Sequence, residues 1–213
     1  MAEPTPQRST HGLPFVVRII GGILVVGVVV GIGLWAERAT DDDLELPDRV
    51  AGIDADDSDA ALESLDADRR DRARTQAEET NDFNSDRLSE AYDGAEAVTR
   101  RYGLLTRADQ TLLVTAVRAE SGPPVPLAFD DPETLGLAAA RNELVDEGDV
   151  TCLVTRANPP VADEEGVDSG DLAPTTVLCQ RTSGDLTVRV LANGEVDADD
   201  VADATDEVWE ELS

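Results

Sequence analysis

The 213-residue sequence predicts an N-terminal transmembrane helix followed by an α+β domain, a mainly antiparallel sheet with covering helices. Three patterns lead there. One long apolar run without a charge lies near the start, at Ile19–Ala36. Short runs of β-forming residues, separated by Gly, Pro, Asp and Ser, fill the second half of the chain. The last stretch carries apolar residues at helical spacing.

The apolar run reads IIGGILVVGVVVGIGLWA, 18 residues with neither charge nor proline. At 1.5 Å per residue it spans roughly 27 Å, close to the hydrocarbon thickness of a bilayer. Residues 13–17 lengthen it if Arg18 snorkels to the headgroups. Trp35 falls at the far boundary, where an amphipathic ring is favoured. A cleaved signal peptide fits less well, because its apolar region is shorter and Ala36 and Ala39 are spaced wrongly for a cleavage site. Arg8 and Arg18 precede the run against Arg38 after it, so the positive-inside rule makes residues 1–18 a short cytoplasmic tail. Gly27 and Gly31 form a small-xxx-small pair that packs helices together, although so Gly-rich a helix carries that spacing by composition alone. The lipid bilayer is thus the first expected partner. Residues 37–43 read as an acidic linker, and 44–213 as an extracytoplasmic domain.

Within that domain, Leu44–Ile53 brings back Leu, Val and Ile and reads as a first strand. Ser58–Glu79 is polar and helix-forming, with acid-before-base pairs at Asp66–Arg70 and Asp68–Arg72 worth a few tenths of a kcal/mol each. A second short helix is expected over Ser85–Tyr92, stopping at Gly94. Ala95–Tyr102 and Thr111–Ala119 are strand-like, with a loop between them. Asp131 followed by Pro132 and Glu133 reads as a cap opening a helix to about Arg141. Glu143–Val145 and Val150–Arg156 form a hairpin, and an acidic loop follows over Asn158–Ala173. Thr175–Arg181 and Leu186–Leu191 form the clearest hairpin, turning at Ser183 and Gly184. In the final helix Asp197 caps, Val196 and Val201 are spaced as a hydrophobic staple, and Val201, Ala204, Thr205, Val208, Trp209 and Leu212 share one face.

Cys152 and Cys179 are the only cysteines, each in the middle of an expected strand. Alternation sets Cys152 with Val150 and Val154, and Cys179 with Val177, towards apolar surroundings. Outside the cytoplasm such a pair most simply forms one disulfide, and the alternative is two buried thiols. A redox-active pair lacks support, since there is no C-x-x-C and no Lys or His nearby.

Charge and composition narrow the function. The 46 acids outnumber 17 basic residues, all Arg, for a net charge of −29, which repels nucleic-acid phosphates. His11 is the only histidine and lies in the cytoplasmic tail, so no Ser-His-Asp or Cys-His site and no zinc site of the usual kind is expected. No motif of an enzyme nucleophile, phosphate loop or dinucleotide fold is present, and no cofactor is expected. Two acidic stretches, Asp54–Asp59 and Asn193–Asp200, resemble calcium loops in part. Aligning Gly194 as the loop glycine puts Arg189 and Leu191 at ligand positions, and the first stretch has Leu65 where the closing acid belongs. Both read more simply as a solvated turn and a helix N-terminus, so no metal residue is assigned.

The order Leu46-Pro-Asp-Arg-Val-Ala-Gly, Tyr92-Asp-Gly-Ala, Val114-Thr-Ala-Val-Arg-Ala-Glu-Ser-Gly-Pro-Pro, Gly148-Asp-Val-Thr-Cys152 and Cys179-Gln-Arg-Thr-Ser-Gly-Asp-Leu-Thr-Val resembles small single-pass envelope proteins of GC-rich actinobacteria. The resemblance implies a location and a disulfide, and no reaction. The leading expectation is a non-enzymatic domain that binds or scaffolds a protein partner at the cell envelope. A module for a cation or small ligand comes second, and an envelope enzyme working through carboxylates third.

Overall fold

The computed structural model describes residues 44–103, 111–126, 128–162, 173–194 and 196–213. The expected membrane helix at Ile19–Ala36, with Arg18, Gly27, Gly31 and Trp35, lies outside the described residues. Among the described residues no helix is long and apolar enough to cross a membrane. Leu44–Ser213 pack as one unit.

Leu44 and Leu46 are buried at its start, and a two-rung hairpin follows from β1 (Arg49–Val50) and β2 (Ile53–Asp54). Ala51 and Gly52 turn it with φ of 49° and 75°, the left-handed pair a two-residue hairpin needs. The strand expected over Leu44–Ile53 is cut this short for two reasons. Pro47 has no N–H to give a ladder, and the carbonyls of Leu46 and Pro47 accept from Arg100 instead.

Ser58 caps the single turn of α1 (Asp59–Leu62), and Asp66 caps α2 (Ala67–Ala91) by accepting from Arg69 N at 3.0 Å. α2 runs unbroken where the sequence suggests two helices. Residues 80–85 are poor helix formers, yet Asn81 is buried there and Ser85 Oγ accepts from Thr99 N of the sheet at 2.8 Å. Tertiary contact overrides propensity. The expected Asp66–Arg70 pair does not form: Asp66 pairs with Arg69, while Arg70 donates to the carbonyls of Glu63 and Leu65.

The six-stranded sheet is built from β3 (Ala97–Tyr102), β4 (Thr111–Val117), β5 (Asn142–Glu147), β6 (Val150–Thr155), β7 (Thr176–Ser183) and β8 (Leu186–Asn193). Every pairing is antiparallel and the order is β3-β4-β8-β7-β6-β5, so a four-strand meander lays its last strand beside the β3–β4 hairpin. Between β4 and β5, α3 (Pro132–Leu135) is a single turn capped by Asp131 and stopped by Gly136 at φ 65°. The helix expected to reach Arg141 ends there because Leu137 N returns to Pro132 O at 2.8 Å.

α4 (Ala198–Leu212) covers one face of the sheet. Val201, Ala204, Thr205, Val208 and Trp209 are buried against β6, β7 and β8, and Leu212 packs at the margin. Each buried Val or Leu contributes about 1.5–3 kcal/mol. Asp197 precedes α4 in extended conformation, but its carboxylate makes no capping bond.

The second face is covered differently. Leu113, Leu191, Leu178, Leu153 and Leu144 stand directly opposite one another across β4, β8, β7, β6 and β5, forming one apolar row. The chain leaving β4 is tied to this face at two points. Gln180 Nε2 donates to Gly122 O at 2.7 Å, and Asn142 Nδ2 donates to Ala128 O at 3.1 Å. These anchors lie on opposite sides of the leucine row, so the Pro-rich connection crosses it, with Pro124 buried between them.

The two edges of the sheet are unlike. At β3, Asp56 N donates to Arg101 O at 3.0 Å, Gly103 N donates to Asp54 O at 2.9 Å, and Thr99 N is taken by Ser85. At β5 no described segment pairs with the outer side.

Candidate functional site

Cys152 and Cys179 occupy facing positions of β6 and β7 and are joined as a disulfide, with Cα atoms 4.0 Å apart. Both are fully buried on the face under α4, where the sulfurs lie 3.8 and 3.7 Å from Ala198 O. A disulfide has no S–H to donate, so these are packing contacts that set the bond beneath the first turn of α4. The bond is consistent with an extracytoplasmic domain.

A groove opens between α4 and the β1–β2 hairpin. Its floor is Ile53, Leu112, Val196, Val201 and Ala204, and its volume is about 370 Å³, room for one or two side chains. Asp200, Asp203 and Glu207 stand at its mouth, spaced i, i+3 and i+7 so that one side of α4 presents them together. Glu207 accepts from Ala51 N at 3.0 Å and pins the hairpin to the helix. Asp200 and Asp203 have no ion pair with any described residue, and no described Arg lines the groove. An apolar floor under uncompensated carboxylates suits a cationic group carried on an apolar stem.

The acidic run Asp54–Asp59 is spent within the fold. Asp54 pairs with Arg49 at 2.6 Å, Asp57 with Arg100 at 2.7 Å and Asp59 with Arg74 at 2.5 Å. Arg100 is the hub of this corner. Its guanidinium bonds Asp57 and Asp48 and donates to the carbonyls of Leu46 and Pro47 at 2.9 and 3.0 Å, with the side chain only 18% exposed. Tyr102 donates to Pro47 O at 2.7 Å, and burial pushes its phenol up from its ordinary range. Asp56 lies between this hub and α2, beside Asn81. Burial holds its carboxyl above the usual range, against the pull of Arg101 and with Asp57 adding to the rise. Asp56 Oδ1 and Asn81 Nδ2 are both buried without a hydrogen-bond partner of good geometry. Among the described residues no group of His, Cys, Asp and Glu is placed to hold a metal ion.

Of the residues singled out from sequence, the structure brings Cys152 and Cys179 together and leaves the four anchor residues outside what it describes. The groove was not visible in the sequence, which marks Asp200 only as a residue of a helix start. Its signal was the acids at 200, 203 and 207 beside the apolar stripe of α4. No protein-family model, curated protein or solved structure matches the chain.

Proposed function

We propose that this chain is a membrane-anchored, extracytoplasmic binding protein that recognises a protein partner at the cell envelope and performs no chemistry on it. The 18-residue apolar run supports the anchor, and the buried disulfide supports an outer location. The observation that carries the binding role is the groove of α4. Its apolar floor, with Asp200 and Asp203 unpaired among the described residues, matches a partner segment with Arg or Lys beside an apolar residue. A cation module is less well supported, because Asp54, Asp57 and Asp59 are already neutralised by arginines.

The test is site-specific photo-crosslinking in native membranes, with the crosslinking residue at position 203 and, as control, at position 185 in the β7–β8 turn. The expected result is one discrete protein adduct from position 203, absent from 185 and lost when Asp200→Arg is added. Adducts that are equal at both positions, or that survive Asp200→Arg, refute the groove as the binding surface.

A further inference from the structure

We propose that the outer edge of β5 accepts an extended strand from a basic partner protein, which becomes the seventh strand of the sheet. The disulfide fixes the parity. A Cα separation of 4.0 Å marks Cys152 and Cys179 as a close, non-hydrogen-bonded pair of the antiparallel ladder. Cys152 therefore directs its N–H and C=O away from β7 and towards Val145 of β5. Val145 is turned inward, so the N–H and C=O of Asn142, Leu144 and Asp146 point out of the sheet. The bond from Arg156 N to Arg141 O, 2.7 Å, sets the same alternation at the start of the strand. Among the described residues nothing bonds to those outward backbone groups, whereas the corresponding edge at β3 is bonded at Thr99, Arg101 and Gly103.

The side chains along this edge define the visitor. Leu144 is 39% exposed and ends the leucine row, so an apolar residue opposite it extends that row by one strand. Glu143 pairs with Arg156 at 3.0 Å, Asp146 accepts from Thr151 Oγ1 at 3.0 Å, and Glu147 has no partner among the described residues. A second copy of the chain is a poor occupant. Antiparallel pairing of β5 with itself about Val145 sets Glu143 against Glu147, and any register brings together two molecules of net charge −29. A strand with basic residues opposite Glu143, Asp146 and Glu147, and apolar ones opposite Leu144 and Val145, satisfies every exposed group. Main-chain bonds then supply affinity and the alternating side chains supply specificity. The edge is separate from the groove, and neither reading rests on the other.

The probe is a labelled, end-blocked peptide, Arg-Arg-Val-Leu-Arg-Thr, which in antiparallel register places its residues opposite Glu147 to Asn142 in that order. It is titrated against the full-length chain in nanodiscs by fluorescence anisotropy, and amide exchange is followed by NMR. Expected are saturable binding and slowed exchange at the amides of Leu144 and Asp146, with Val145 unchanged. Leu144→Pro removes one outward N–H and no inward one, and it weakens binding at least tenfold. The double variant Asp146→Lys/Glu147→Lys leaves the backbone alone and weakens binding as well, so the edge is still put to the test if Leu144→Pro fails to fold. Absence of saturable binding, unchanged affinity in the charge-reversed variant, or protection confined to other residues overturns the proposal. A dimer seen by light scattering and abolished by Leu144→Pro also overturns it, by giving the edge to a second copy.

Discussion

Reducing the Cys152–Cys179 bond returns to the unfolded chain the freedom of the segment it closes, across a sequence separation of 27. In the chain-entropy model that freedom is worth about 3.5 kcal/mol at 25 °C. For a unit of about 170 residues, with an unfolding entropy of roughly 2.1 cal/mol/K per residue, the loss lowers Tm by about 10 °C. The sulfurs are fully buried beneath α4, so reduction requires unfolding in urea, followed by refolding in reductant. Melting the oxidised and refolded reduced chains in parallel, by near-ultraviolet circular dichroism at Trp209, gives the difference directly. A double Cys152→Ala/Cys179→Ala variant melts lower than the reduced chain, because it also removes the packed sulfurs. If the oxidised and reduced midpoints agree within about 3 °C, the bond does not constrain the unfolded ensemble and the entropic account is wrong.

Arg100→Met strands Asp57, 16% exposed, and two carbonyls without their donor, and it costs about 3 kcal/mol in urea unfolding. Adding Asp57→Asn recovers part of that loss; no recovery argues against the ion pair. Asp56→Asn raises Tm at pH 7. A carboxyl whose folded pKa lies above its unfolded one destabilises the fold when ionised, and stability returns as pH falls through the folded value. The advantage of Asp56→Asn therefore shrinks on acidification towards about pH 4, where the unfolded carboxyl also protonates. A gain that does not change with pH points to some other cause.

Local chemistry wrote some elements plainly into the sequence. The stripe from Val201 to Leu212 places the buried face of α4, and Asp131 with Pro132 marks the start of α3. Alternation in residues 175–191 sets both the β7–β8 hairpin and the side of the sheet that Cys179 faces. What stayed hidden depends on distant partners. Arg100 looks like any residue of a strand, and its partners Leu46, Pro47, Asp48 and Asp57 lie 43 to 54 residues before it. α2 continues through residues 80–85 because the sheet holds Ser85, which no helical periodicity records. The groove needs Ala51 and Glu207, 156 residues apart in the chain, to face each other.

The closure of β3 by the segment 54–56 and by Ser85 bears on how far such molecules can assemble. Growth of a filament through sheet edges requires every unit to offer two complementary sides, so that each addition exposes a new one. Among the described residues the β3 side is bonded at Thr99, Arg101 and Gly103, and the β5 side has no partner. Copies of this chain therefore cannot propagate edge to edge through β3 and β5 in turn, and contact between their own sheets is limited to β5. For a strongly negative protein, that asymmetry separates recognition from aggregation.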